Sequence, residues 1–312
     1  MADTLPVIPP EQLAAYVSGS KIIKAISSSI SKCLEIALTQ AFSSESFRNS
    51  ADNGALPYLT SLLLLDFSGK PFNRIEMQKV VEALGVAFSA EIADTIGAFH
   101  FGSHFIRIAL SAFLDSSGVD SIPDSMTRLE MSIGISPNSA VSAEAIDIYK
   151  KAGGQDPNVL SNQDAVSDQI ALMLDLAYKL SEMVQVELDY SLKSYLCTIP
   201  KSDQNERSIL AHFFASVVLM FAGSDIIDKD KFLKLLSGAG INLDNSLMPF
   251  VKEQMGKNYL ICIASAFTLL AAGKRADEGS MLRMLRALSV HPNMGTIKYT
   301  LSLVNRQVSQ QK

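Results

Sequence analysis

The chain has 312 residues, and its 48% hydrophobic against 19% charged content excludes a disordered polypeptide and allows one large or two ordinary domains. Gly (17) and Pro (11) are sparse, which favours helices, and the net charge of −5 comes from 27 basic and 32 acidic residues. Cys33, Cys197 and Cys262 form no Cys-x-x-Cys pair, so neither a disulfide framework nor a zinc site is implied, and a reducing, cytoplasmic compartment is the expectation.

The opening MADTLPVIPPEQL has neither a basic nor an apolar leader region, and its paired prolines make an extended arm. Next, Ile26, Ile30, Leu34, Leu38 and Phe42 recur every four residues, predicting a long helix with one apolar stripe. Residues 58–86, YLTSLLLLDFSGKPFNRIEMQKVVEALGV, read as a core helix, a turn at Ser68-Gly69 and an amphipathic helix capped by Asn73. The Gly-Lys here lacks the G-x-x-x-x-G-K-[ST] spacing with which backbone amides cradle phosphates. A second unit of this design follows, turning at Ser117-Gly118 with Asp124 as its expected cap. Between the two, His100 and His104 in AFHFGSHF would share one helical face, as a metal pair does. With Gly102 between them and no third ligand, capping or partial burial is the expected role.

The stretch KKAGGQDPNVLSNQD carries the breakers Gly153-Gly154 and Pro157 and forms a junction. Beyond it Leu180, Val184, Leu188, Leu192 and Leu196 repeat the long-helix stripe. Two more units turn at Ala222-Gly223 and Ala272-Gly273, with Asp228 and Asp277 as caps. Their apolar runs, ILAHFFASVVLMFAG and YLICIASAFTLLAAG, fall short of the roughly 20 residues of a membrane span, so core helices are predicted. His212, inside the first run, and His291, before Pro292, read as structural.

Shifting the chain by 154 residues lays Leu65, Phe67 and Gly69 on Leu219, Phe221 and Gly223, and Ser111-Ala112-Phe113 on Ser265-Ala266-Phe267. One further residue of shift lays Gly118 on Gly273, Ser125-Met126 and Arg128 on Ser280-Met281 and Arg283, and Pro137-Asn138 on Pro292-Asn293. The matches keep their order, which predicts an all-α fold of two homologous helical lobes, 1–156 and 157–312. No sustained alternation of polarity signals a strand.

Residues 58–86, through YLTSLLLL, SGKPF and VVEALGV, resemble the N-terminal helical domain of the acidic stalk proteins of archaeal and eukaryotic ribosomes. The resemblance implies helices, pairing into dimers and ribosome association.

Charge separates the halves. Residues 251–312 hold nine basic residues against three acidic ones. Arg283 and Arg286 share a helix face, Lys274 and Arg275 lie in the turn before it, and Lys298 follows. These five are the candidate site for nucleic-acid phosphates or an acidic protein partner. The first half has Val119 and Asp120 at the corresponding turn, so the site belongs to the second half alone. No G-x-S-x-G, H-E-x-x-H or G-x-G-x-x-G is present, and no catalytic residue, metal or cofactor is expected. The leading reading is a self-assembling structural protein, a homo-oligomer coating single-stranded RNA like a nucleocapsid or virion coat, with no membrane partner. A protein–protein scaffold, ribosome-associated on the resemblance, and an enzyme with a site between the lobes are the alternatives.

Overall fold

The computed structural model describes residues 7–43, 55–97, 104–153, 168–199, 205–223, 228–255 and 257–309. They are all-helical, as expected, with no strand among them. After a 3-10 turn at Pro10–Gln12 come α1 (Leu13–Ser43), α2 (Ala55–Phe67), α3 (Arg74–Ala83), α4 (Ala90–Gly97), α5 (His104–Ser117), α6 (Pro123–Ser132) and α7 (Ser139–Ala152). The chain continues through α8 (Asp168–Thr198), α9 (Glu206–Phe221), α10 (Lys229–Gly238), α11 (Met248–Met255), α12 (Tyr259–Ala271), α13 (Glu278–Ala287) and α14 (Met294–Ser309).

The apolar runs make the central helices. Every residue from Ile209 to Phe221 on α9 is buried, as is every residue from Leu260 to Leu269 on α12. No helix among the described residues is long and apolar enough to cross a membrane. Three buried serines bond within their own helix turn: Ser116 and Ser117 of α5 donate to Phe113 O, and Ser216 of α9 to Phe213 O. Both long helices have 31 residues and bury their stripes at Ile26, Ile30 and Leu34 on α1 and from Leu180 to Leu196 on α8, with Ile26, Ile30, Val184, Leu192 and Leu196 at 0% exposure; the side chains of Leu38 and Phe42 lie outside the described residues.

The chain divides into two compact units. The first takes Met1–Lys32, His104–Val159 and Ser181–Gly256, and the second takes Cys33–Ser103, Leu160–Leu180 and Lys257–Lys312. In the first, α5 packs on α9 and α7, α6 on α10, and α9 on α10 and α11. In the second, α12 packs on α2 and α14, α3 on α13, and α2 on α3 and α4. Each unit therefore combines helices from before and after the 156/157 junction expected from the sequence.

The glycine turns behave as predicted. Gly69, Gly118, Gly223 and Gly273 have φ of 65°, 72°, 79° and 67°, the left-handed conformation that a side chain resists. At three of them the next N–H returns to the helix, as when Lys274 N donates to Leu269 O at 2.9 Å. Asn73, Asp228 and Asp277 cap α3, α10 and α13. Asp124 does not cap α6. Pro123 occupies the first helical position and has no N–H to satisfy, so Ile122 is the N-cap and Asp124 lies in the first turn. His100, Gly102, Gly154 and Pro157 lie outside the described residues.

Candidate nucleic-acid interface

The five predicted cations all lie in the second unit. Gly273 ends α12, which puts Lys274 and Arg275 in the exposed turn just beyond the negative end of the helix dipole. Two residues on, Asp277 accepts the Ser280 N–H at 2.9 Å and starts α13. That cap sets the rotation of the helix: Ser280, Met281, Met284 and Leu285 face inward, leaving Arg283 and Arg286 exposed one turn apart. On α14 Ile297 and Thr300 are buried and Lys298 is exposed.

One carboxylate gathers part of this group. The Ser280 amide, followed by the Ser280 hydroxyl and the nearby Arg283 and Arg275, holds Asp277 below the usual carboxylate range. Arg283 also donates to Ser280 Oγ at 3.0 Å, which orients its guanidinium. Arg286 and Lys298 do not act on that carboxylate. None of the five cations forms an ion pair among the described residues. Elsewhere Arg74 pairs with Asp94, Lys79 with Glu76, Arg107 with Glu130, Lys151 with Asp147, Lys179 with Asp175 and Lys193 with Asp189.

Other chemistry is sparse. No group of three or more His, Cys, Asp or Glu among the described residues has the geometry of a metal site. His104 lies 3.2 Å from Glu144 on α7, and burial lowers its proton affinity while that carboxylate opposes the effect. His212 is fully buried with both ring nitrogens bonded to backbone, the structural role expected of it.

Sequence reasoning missed a cleft of about 380 Å³ in the first unit, lined by Lys21, Asp115, Asp120, Ser121, Tyr149 and Lys150. Tyr149 donates to Asp115 at 3.2 Å, and burial together with that charge raises its phenol well above the usual range, so it stays protonated. Two lysines and two aspartates balance, so the charge of the cleft selects neither an anion nor a cation. Its residues come from α1, the end of α5, the α5–α6 connection and α7, and no local spacing announces it. Also unforeseen is a buried pair, Arg107 Nε to Glu130 Oε1 at 2.6 Å, which Ser142 joins by donating to the same oxygen at 2.7 Å.

No protein-family model, curated protein or solved structure matches the chain.

Proposed function

We propose that this chain is a non-enzymatic, self-assembling helical protein that binds single-stranded nucleic acid through its phosphates. The observation that carries the reading is the group Lys274, Arg275, Arg283, Arg286 and Lys298: five exposed cations in one unit, none in an ion pair among the described residues. Cations outside an ion pair lose little on meeting phosphates and gain by releasing the counterions condensed there. Their exposed placement on two helices and the turn before the first, where phosphates are met more readily than base edges, favours sequence-tolerant binding.

The same reading takes residues 1–156 and 157–312 as copies of one ancestral module. Supporting it, eight of the nine left-handed residues among the described residues, all but Asn258, fall into pairs at the shift found in the sequence: Gly69 with Gly223, Gly85 with Gly240, Gly118 with Gly273 and Gly134 with Ser289. So do the caps Asn138 and Asn293, and the Arg128–Ser125 and Arg283–Ser280 contacts. Ser27 and Ser181, 154 residues apart, each donate to the other's carbonyl. Such reciprocity is what an isologous contact between copies has.

Anisotropy of a labelled single-stranded RNA, titrated with the full chain over a salt series, tests the binding. Salt-sensitive affinity is expected, falling about tenfold or more in Arg283→Glu/Arg286→Glu, with the salt slope smaller by roughly 0.7 per lost phosphate contact. Both side chains are exposed, so circular dichroism should be unchanged. Affinity indifferent to salt and to both reversals overturns the reading. Capture of one acidic protein instead of RNA moves the same face to the scaffold reading.

A further inference from the structure

We propose that His212 is an acid-sensitive latch holding the α10–α11 connection of the first unit, and that Tyr58 is its pH-insensitive counterpart in the second. The two positions are related by the 154-residue shift, and both lie on a central helix. His212, on α9, has 0% exposure. Its Nδ1 lies 2.6 Å from Ser208 O, one turn back, and its Nε2 lies 3.0 Å from the backbone N of Asp244. A carbonyl only accepts and an amide N–H only donates, so the ring must be neutral, with the proton on Nδ1 and the lone pair on Nε2. Protonating Nε2 would set one N–H against another and break the contact to Asp244.

That contact governs more than one bond. The Asp244 carboxylate accepts the Ser246 N–H at 2.8 Å and the Ser246 hydroxyl at 2.6 Å, and this turn leads through the buried Leu247 to the buried Met248 and Val251 of α11. The ring itself packs against Phe232 of α10, centroids 5.8 Å apart. Among the described residues, Asp244 is the one charged side chain acting on the ring. The charged groups of the packed helices, Arg107 and Asp115 on α5, Lys231 and Lys234 on α10, Lys252 and Glu253 on α11, leave it unshifted. Burial lowers its proton affinity, against the opposing pull of Ser208 O and Asp244. The switch therefore lies on the acid side of the ordinary imidazole value.

Tyr58 on α2 makes the same kind of tie without a titrating nitrogen. Its hydroxyl donates to Ala87 O at 2.9 Å and accepts the Ser89 N–H at 2.5 Å, holding the α3–α4 connection. A phenol donates and accepts at once and takes up no proton in mild acid. The chain thus carries its own control.

Hydrogen exchange of the intact protein at pH 7.5 and pH 5, corrected for intrinsic rates, tests the latch. Peptides covering 241–252 should lose about tenfold or more in protection at pH 5 relative to those covering 84–95. His212→Tyr, which copies the other latch, should keep 241–252 protected at pH 5, and Tyr58→His should make 84–95 acid-labile. Equal behaviour of the two segments at both pH values overturns the proposal, as does a folded His212→Tyr that stays acid-labile. Should that variant not fold, nitrogen NMR of the wild-type ring decides. The expected signature is Nδ1–H at pH 7.5 and imidazolium on opening, whereas Nε2–H at neutral pH, or opening with a neutral ring, refutes it.

Discussion

Ser289 stands where a glycine belongs. It ends α13 with φ of 58°, is exposed, and lets Val290 N donate back to Leu285 O at 2.9 Å. The left-handed conformation forces its Cβ toward the following carbonyl, a cost of roughly 1–2 kcal/mol that glycine avoids. The matching position, Gly134, has φ of 80°. Ser289→Gly should therefore raise stability in urea denaturation by about 0.5–1 kcal/mol, after allowing for glycine's larger unfolded-state entropy. A lower stability would mean that the serine hydroxyl contributes something the turn geometry does not reveal. Legibility at this scale was uneven. Glycines that follow apolar runs announce left-handed caps, and they held that conformation. Asp124 misled because a proline at the first helical position outranks a side-chain cap.

Between helices, the first unit buries charge where the second buries apolar side chains. Arg107 on α5, Glu130 on α6 and Ser142 on α7 form a buried polar knot, with exposures of 2%, 0% and 1%. The positions matched to them on α12, α13 and α14 are Ile261, Leu285 and Ile297, all buried and apolar. Taking both charges out of water costs more than an apolar trio of like volume, and only the mutual pairing offsets that cost. Glu130→Leu alone should thus destabilise by about 3–5 kcal/mol, because Arg107 is left buried without its partner. Arg107→Ile with Glu130→Leu and Ser142→Ile together should recover nearly all of it, as read by chemical denaturation. If the triple variant is as unstable as the single one, the knot holds the helices in a way that apolar packing does not replace. Periodicity could not disclose this knot. The three residues lie on three helices, and each by itself looks like a surface residue.

For the whole molecule, pH is the handle that reaches both units. Burial lowers the proton affinity of His104 and His212, so the unfolded chain binds more protons and folding is favoured by raising pH. Their contribution is complete above the ordinary imidazole value of 6.5 and declines as pH falls below it toward their lowered folded values. Asp277 and Asp94 are held below the ordinary 3.8, so their smaller, solvent-screened share is lost only in stronger acid. Melting temperature should consequently drop between pH 7 and pH 5, and His212→Tyr should flatten part of the drop. A melting temperature constant over that range would mean that neither imidazole is held neutral by the fold.

The amino-acid order by itself determined the all-helical class, the two long striped helices, the central apolar helices and most of the glycine turns. Each of these follows from local rules: a period near four residues, a run too apolar to be exposed, a backbone conformation that tolerates no Cβ. It also placed the five candidate cations, because charge is read directly and three of the four cap assignments were right. Only the tertiary structure decided which helices keep company. In the two proposed copies the buried faces are alike, so α5 is chemically as fit to meet one apolar partner as another. Packing then chose α9 for α5 and α2 for α12. The same step brought Asp244 to His212, Ala87 and Ser89 to Tyr58, and Glu130 to Arg107, contacts whose strength comes from burial and whose partners no local spacing could name.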